Sequence, residues 1–244
     1  MNSNPLVQHD LTGSSYGYSA ADMENLAATE YTLINICVDV SISVSSYKQQ
    51  MEEVIANIVK SCQPPNPKSD NLMIRLVAFS DDLEEIHGFK QLPDCNLSDY
   101  QNCLHIHGST ALFDALINST QATINYANNL YDEDYDTNGI VIVITDGVNY
   151  TDSTTCEQDV TNEIEKLNTS KLDSCMIILV GISNCVSTDK YLANLKKAAN
   201  ITQYVSIDEA SEENFRKLEN FLSQSIISQS KSLGSGAISI PINF

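Results

Sequence analysis

What is scarce in this chain is informative. Of 244 residues only nine are glycine, and neither a Gly-x-x-x-x-Gly-Lys-Ser/Thr loop nor a Gly-x-Gly-x-x-Gly turn occurs, so a phosphate-cradling nucleotide site is unsupported. Basic residues number 13 against 32 acidic ones, a net charge of −19. A field of that sign repels phosphate backbones, which argues against nucleic acid as a partner, and concentrates cations. No apolar run reaches the ~18 residues of a membrane-spanning helix, so no membrane partner is expected. The opening Met1-Asn2-Ser3-Asn4-Pro5 lacks the basic and apolar parts of a secretory signal.

The seven cysteines have neither paired nor metal-ligand spacing, and Cys37 and Cys175 fall inside apolar runs. They read as reduced thiols, and the expected compartment is the cytoplasm. The Asn-x-Ser/Thr triplets at Asn96, Asn118, Asn149, Asn168 and Asn200 read as chance in a chain so rich in these residues.

What is present is an alternation of apolar runs and helical periodicities. Strands are expected at Thr32–Asp39, Leu72–Ser80, Ile140–Thr145, Ser174–Ile182 and Gln203–Ile207. Helices are expected at Tyr47–Cys62 (stopped by Pro64, Pro65 and Pro67), Ala111–Asn128, Glu157–Leu167, Asp189–Ala199 and Ser211–Ile227. Glu85–Phe89 reads as a hairpin return on a sheet edge. Strands and helices alternating in this way predict an α/β fold: a single domain with a doubly wound, Rossmann-like, mostly parallel sheet and helices on both faces. Residues 1–30 read as a polar leader with a short helix at Ala20–Ala28, residues 31–227 as the domain, and residues 228–244 as a tail that is flexible or adds an edge strand.

Three separated stretches carry chemistry: Asp39-Val40-Ser41-Ile42-Ser43, His107-Gly108-Ser109-Thr110 and Thr145-Asp146-Gly147. Asp39 and Asp146 stand at the carboxyl ends of expected strands, where doubly wound sheets bind ligands. Ser41 and Ser43 share one loop, and Thr110 opens a helix. Together these are hard oxygen donors that suit Mg²⁺ or Mn²⁺ with a coordination position to spare.

This pattern resembles the metal-ion-dependent adhesion site of von Willebrand factor A domains, over about residues 31 to 227. The resemblance implies that Ser41, Ser43 and Thr110 touch the metal directly and that Asp39 and Asp146 do so directly or through water. It also implies a non-enzymatic module that binds an Asp or Glu of a protein partner. Stand-alone intracellular members of the family often work beside AAA+ ATPases or in microbial stress and conflict systems. Two residues depart from the common pattern: Ile42 and Ser109 stand where glycine is frequent.

The same residues admit other readings. A self-assembling subunit, its site or sheet edge completed by another copy, is the alternative, with the Ile-rich tail as the added strand. Mg²⁺-dependent phosphoryl transfer of the haloacid-dehalogenase kind needs a second acid two residues after Asp39, where Ser41 stands. His105 and His107 form no metal pair without a third ligand and read as loop residues. The acidic stretch Asp132–Gly139 imitates a calcium loop but lacks its glycine and terminal glutamate, and reads as a solvated loop.

Overall fold

The computed structural model describes residues 4–183, 185–233 and 241–244. Its centre is an eight-stranded sheet in the order β1 (Leu6–His9), β2 (Tyr18–Ala21), β5 (Leu83–Gln91), β4 (Leu72–Phe79), β3 (Glu30–Asp39), β6 (Asp136–Thr145), β7 (Cys175–Ile182), β8 (Gln203–Ile207). β3 (Glu30–Asp39) is the spine, pairing in parallel with β4 (Leu72–Phe79) on one side and β6 (Asp136–Thr145) on the other. β7 (Cys175–Ile182) and β8 (Gln203–Ile207) extend the parallel set, while β5 (Leu83–Gln91) returns antiparallel to β4 as the expected hairpin. The fold class is as expected: one α/β domain on a mostly parallel, doubly wound sheet.

Alternating faces of the strands fill two cores, because successive side chains on a strand point to opposite sides. Ile34, Ile36 and Val38 face α1 (Lys48–Cys62) and α5 (Glu212–Ser232) in one cluster. Cys37, Val77, Phe79, Val141 and Val143 face α2 (Leu112–Asp132), α3 (Glu157–Glu165) and α4 (Val186–Ala198) in the other. Helices therefore cover both faces. The chain leaves β3 toward β4 and later crosses back to β6 on the opposite side, so strand order reverses between β3 and β6.

The structure corrects several local expectations. Ala20–Ala28 is no helix: β1 (Leu6–His9) and β2 (Tyr18–Ala21) pair antiparallel and dock on β5, and a single 3₁₀ turn, Met23–Asn25, follows. Tyr18, Phe89 and Tyr126 pack as an aromatic cluster, with the Phe89 and Tyr126 rings stacked 5.4 Å apart. Burial of these rings, invisible in local periodicity, overrides the propensity of the segment.

Asp136–Gly139 is not a solvated loop but the first part of β6. Its buried Asn138 donates to the Gln229 carbonyl at 2.6 Å, and Gln229 Nε2 donates to the Gly139 carbonyl at 3.0 Å. That pairing with α5 engages the Asn138 and Gln229 amide nitrogens, donors which the sequence pattern assigned to water. α5 runs to Ser232, past the expected tail boundary. Of the tail, residues 234–240 lie outside the described residues. Near its end Gln203 of β8 donates to the Ile242 carbonyl at 2.7 Å, and the Phe244 ring meets Phe221 edge-on.

Candidate metal centre

β3 ends in Asp39, which is fully buried. Its Oδ1 accepts the Ser41 N–H at 2.8 Å, a turn in which the carboxylate holds the loop that follows it. Its Oδ2 accepts the Thr145 hydroxyl at 2.6 Å across the β3–β6 boundary. Ser41 and Ser43 hydroxyls lie 3.0 Å apart, and Ser43 Oγ donates to Asp146 Oδ1 at 2.8 Å. A continuous polar chain thus runs Thr145–Asp39–Ser41–Ser43–Asp146 over the point where strand order reverses.

Thr110 reaches the same end of the sheet by backbone bonds. Ala111 N–H donates to the Ser80 carbonyl at 2.7 Å, and Ile42 N–H donates to the Gly108 carbonyl at 3.3 Å. Thr110 and Tyr150 form an isolated antiparallel bridge that ties the segment before α2 to the loop after β6. Gly147 faces the Thr110 hydroxyl, since a Cβ there would stand 3.7 Å from Oγ1. Of the five expected ligands, Asp39, Ser41, Ser43 and Asp146 are joined in one hydrogen-bonded chain. Thr110 stands beside that chain, at Gly147.

The two departures have structural answers. Gly108 carries the left-handed conformation, φ +66°, and a Cβ there would come 2.4 Å from Asp81 Oδ2. The neighbouring Ser109 instead anchors that same carboxylate through its N–H and hydroxyl. Ile42 starts a 3₁₀ turn (Ile42–Tyr47) and is 67% exposed, so it presents an apolar side chain at the rim. His107 bonds to Ser80 and Asp82 and to the His105 carbonyl, a loop-bracing role.

Sequence reasoning missed Tyr47 and Thr145. Burial raises the pKa of the Tyr47 phenol, and the adjacent Asp146 carboxylate, toward which its buried hydroxyl is directed, raises it further. Thr145, which in the sequence only precedes Asp146, is what holds Asp39 Oδ2. Burial pushes the Asp39 carboxyl up to about 6, against the lowering effect of the Thr145 and Ser41 hydrogen bonds.

The donor set fits a small hard dication: two carboxylates and three hydroxyls, with no nitrogen or sulfur. Among the described residues none of the ion pairs involves Asp39 or Asp146, so the two carboxylates share a site without a protein cation. Elsewhere, among the described residues, no group of three or more His, Cys, Asp or Glu is arranged to hold a metal.

No curated protein sequence matches the chain. Solved structures share its fold at low identity. The PilB minor pilin of Streptococcus sanguinis matches at 13% identity and TM-score 0.59, over 86% of this chain and 64% of the pilin. The pilus adhesin SpaC of Lactobacillus rhamnosus GG matches at 14% identity and TM-score 0.61, over 92% of this chain but 34% of the adhesin. A von Willebrand factor type A protein of Catenulispora acidiphila matches at 16% identity and TM-score 0.54, over 85% of this chain and 45% of that one. The chain therefore spans less than two thirds of each of these proteins. The sequence profile of the von Willebrand factor type A domain matches residues 34–226, from within β3 to within α5. This chain is a member of the von Willebrand factor type A domain family.

Proposed function

We propose that the chain is a metal-dependent protein-interaction module, without enzymatic activity. Asp39, Ser41, Ser43, Thr110 and Asp146 would hold Mg²⁺ or Mn²⁺, and a partner protein would supply an Asp or Glu to the remaining position. The bound ion would offer a hard positive centre to which a carboxylate binds without any covalent step. The observation that carries the reading is the buried Asp39 carboxylate. It is hydrogen-bonded into a hydroxyl chain that ends on Asp146, and among the described residues neither acid has a cationic partner. Two unbalanced carboxylates at one site are costly unless a cation joins them.

The rim supports a protein as the partner. Ile42 and Val148, 67% and 38% exposed, project from the loops that carry the two motifs and offer apolar contact around the charged centre. The Ser41 hydroxyl, where phosphoryl transfer needs a second acid, is committed to Ser43. All seven cysteines are free, with Cys156 and Cys185 exposed, which supports a reducing compartment and a cytoplasmic partner such as an AAA+ ATPase. The pilin and the adhesin set the opposite context, but at this identity their likeness carries fold and not location.

Calorimetric titration of the EDTA-stripped chain with Mg²⁺ and Mn²⁺ tests the reading. Saturable heat in the wild type that vanishes in Asp39→Ala supports it. Equal heat in both sinks it.

A further inference from the structure

A cleft of about 1100 Å³ opens between the loop before β2, the first half of α2, α3 and the segment Tyr150–Thr155. It is slightly larger than the ~300–1000 Å³ typical of ligand sites. Two of its lining amides are incompletely paired. Asn118 is 2% exposed, and its Oδ1 accepts from Arg75 Nη2 at 3.0 Å while its Nδ2 has no partner. Gln121 Nε2 donates to Glu163 at 2.9 Å while its buried Oε1 has no partner.

Of the five carboxylates that line the cleft four are already anchored, and the fifth, Asp152, is exposed to solvent. Asp81 is held by Ser109, Asp114 by the Thr155 hydroxyl, Asp159 by the Cys156 N–H, and Glu163 by Gln121 and Lys166. Each retains acceptor capacity, since an ionised carboxylate has about four lone-pair sites. Tyr150 is 75% exposed and lends the cleft an aromatic ring.

This inventory discriminates among ligands. An anion meets five carboxylates and a single lysine, and is repelled. A lysine or arginine side chain has donors only, and would leave Asn118 Nδ2 unpaired. An apolar ligand would strip water from polar groups and return nothing. A hydroxyl donates and accepts, so a ring bearing several can serve Asn118 Nδ2, Gln121 Oε1 and the carboxylates together, with its C–H face on Tyr150. We propose that this cleft binds a neutral saccharide, independently of the metal centre.

The test uses the whole chain, labelled on a surface amine and applied in EDTA to an array of neutral glycans. The best binder is then titrated by calorimetry against wild type, Tyr150→Ala and Gln121→Leu, each with an unchanged thermal midpoint. Retention of at least one neutral glycan in EDTA, weakened about tenfold by each substitution, is the expected result. No retained glycan, affinity indifferent to both substitutions, or binding of a lysine-rich control peptide alone overturns the proposal.

Discussion

At the scale of single residues, Asp39 decides most. Its carboxyl titrates at about 6 in the folded chain against 3.8 for the ordinary group, so the folded state binds its proton more tightly than the unfolded one. Without metal, the ionised form therefore costs stability above pH 6, and the cost fades as pH falls from 6 toward 3.8. Asp39→Asn, which keeps the shape, is expected to be more stable than wild type by ~2 kcal/mol at pH 7.5 in EDTA. The gain should vanish near pH 4, as urea unfolding at the two pH values will show. In the same window protons compete with metal, so Mn²⁺ affinity should fall about tenfold per pH unit below 6 in titrations between pH 7.5 and 5. His87 acts in the opposite direction. Burial lowers it from 6.5 to about 4, so its stabilising effect is complete above 6.5 and is lost as pH falls toward 4. Gly108→Ala puts a Cβ against Asp81 at a left-handed φ, and should cost ~1–2 kcal/mol in the same unfolding assay.

Among the elements, the hairpin of β1 and β2 differs most from what its sequence announces. Its docking on β5 requires Gly88, because a Cβ there would come 2.0 Å from the Ser19 carbonyl oxygen. Glu85 fastens the same junction, accepting from Ser19 N–H at 2.9 Å and from the buried Arg75 Nε at 2.6 Å. Gly88→Ala should therefore loosen β2 alone. Amides of Tyr18–Ala21 are expected to exchange faster by ~30-fold or more, a loss of ~2 kcal/mol, while those of β3 and β6 keep their protection. The contrast marks what local pattern can show. β3, β4, β6 and β7 are legible because both their faces are buried, which writes a continuous apolar run into the chain. β2 is legible to no periodicity, since Tyr18 and Ala20 have meaning only against Phe89 and Tyr126, supplied from far along the sequence. The start of β6 was hidden for the same reason: Asn138 is buried only because Gln229 receives it. The candidate ligands were readable because the motifs sit at strand ends. Thr145's hold on Asp39 and the approach of the Tyr47 hydroxyl to Asp146 depend on the packed geometry and have no local signature.

At the scale of the whole molecule, a cation held by the folded chain and not by the unfolded one should stabilise it by mass action. At a hundred times its dissociation constant the gain is ~2.7 kcal/mol, or roughly 5–10 °C in thermal midpoint for a chain of this size. Mg²⁺ or Mn²⁺ should raise the midpoint of the wild type and leave Asp39→Ala unmoved, as scanning calorimetry with and without EDTA will measure. The two core clusters on either side of the sheet make this a global readout, because no strand that carries a ligand unfolds without both.

The bond from Thr145 to Asp39 joins positions 106 residues apart. Closing so long a loop comes late and slowly in folding, after local helices and the β4–β5 hairpin have formed. On the proposed reading a nascent or nicked chain would have the candidate ligands but no centre, and a partner that binds through the metal would meet only a completed molecule.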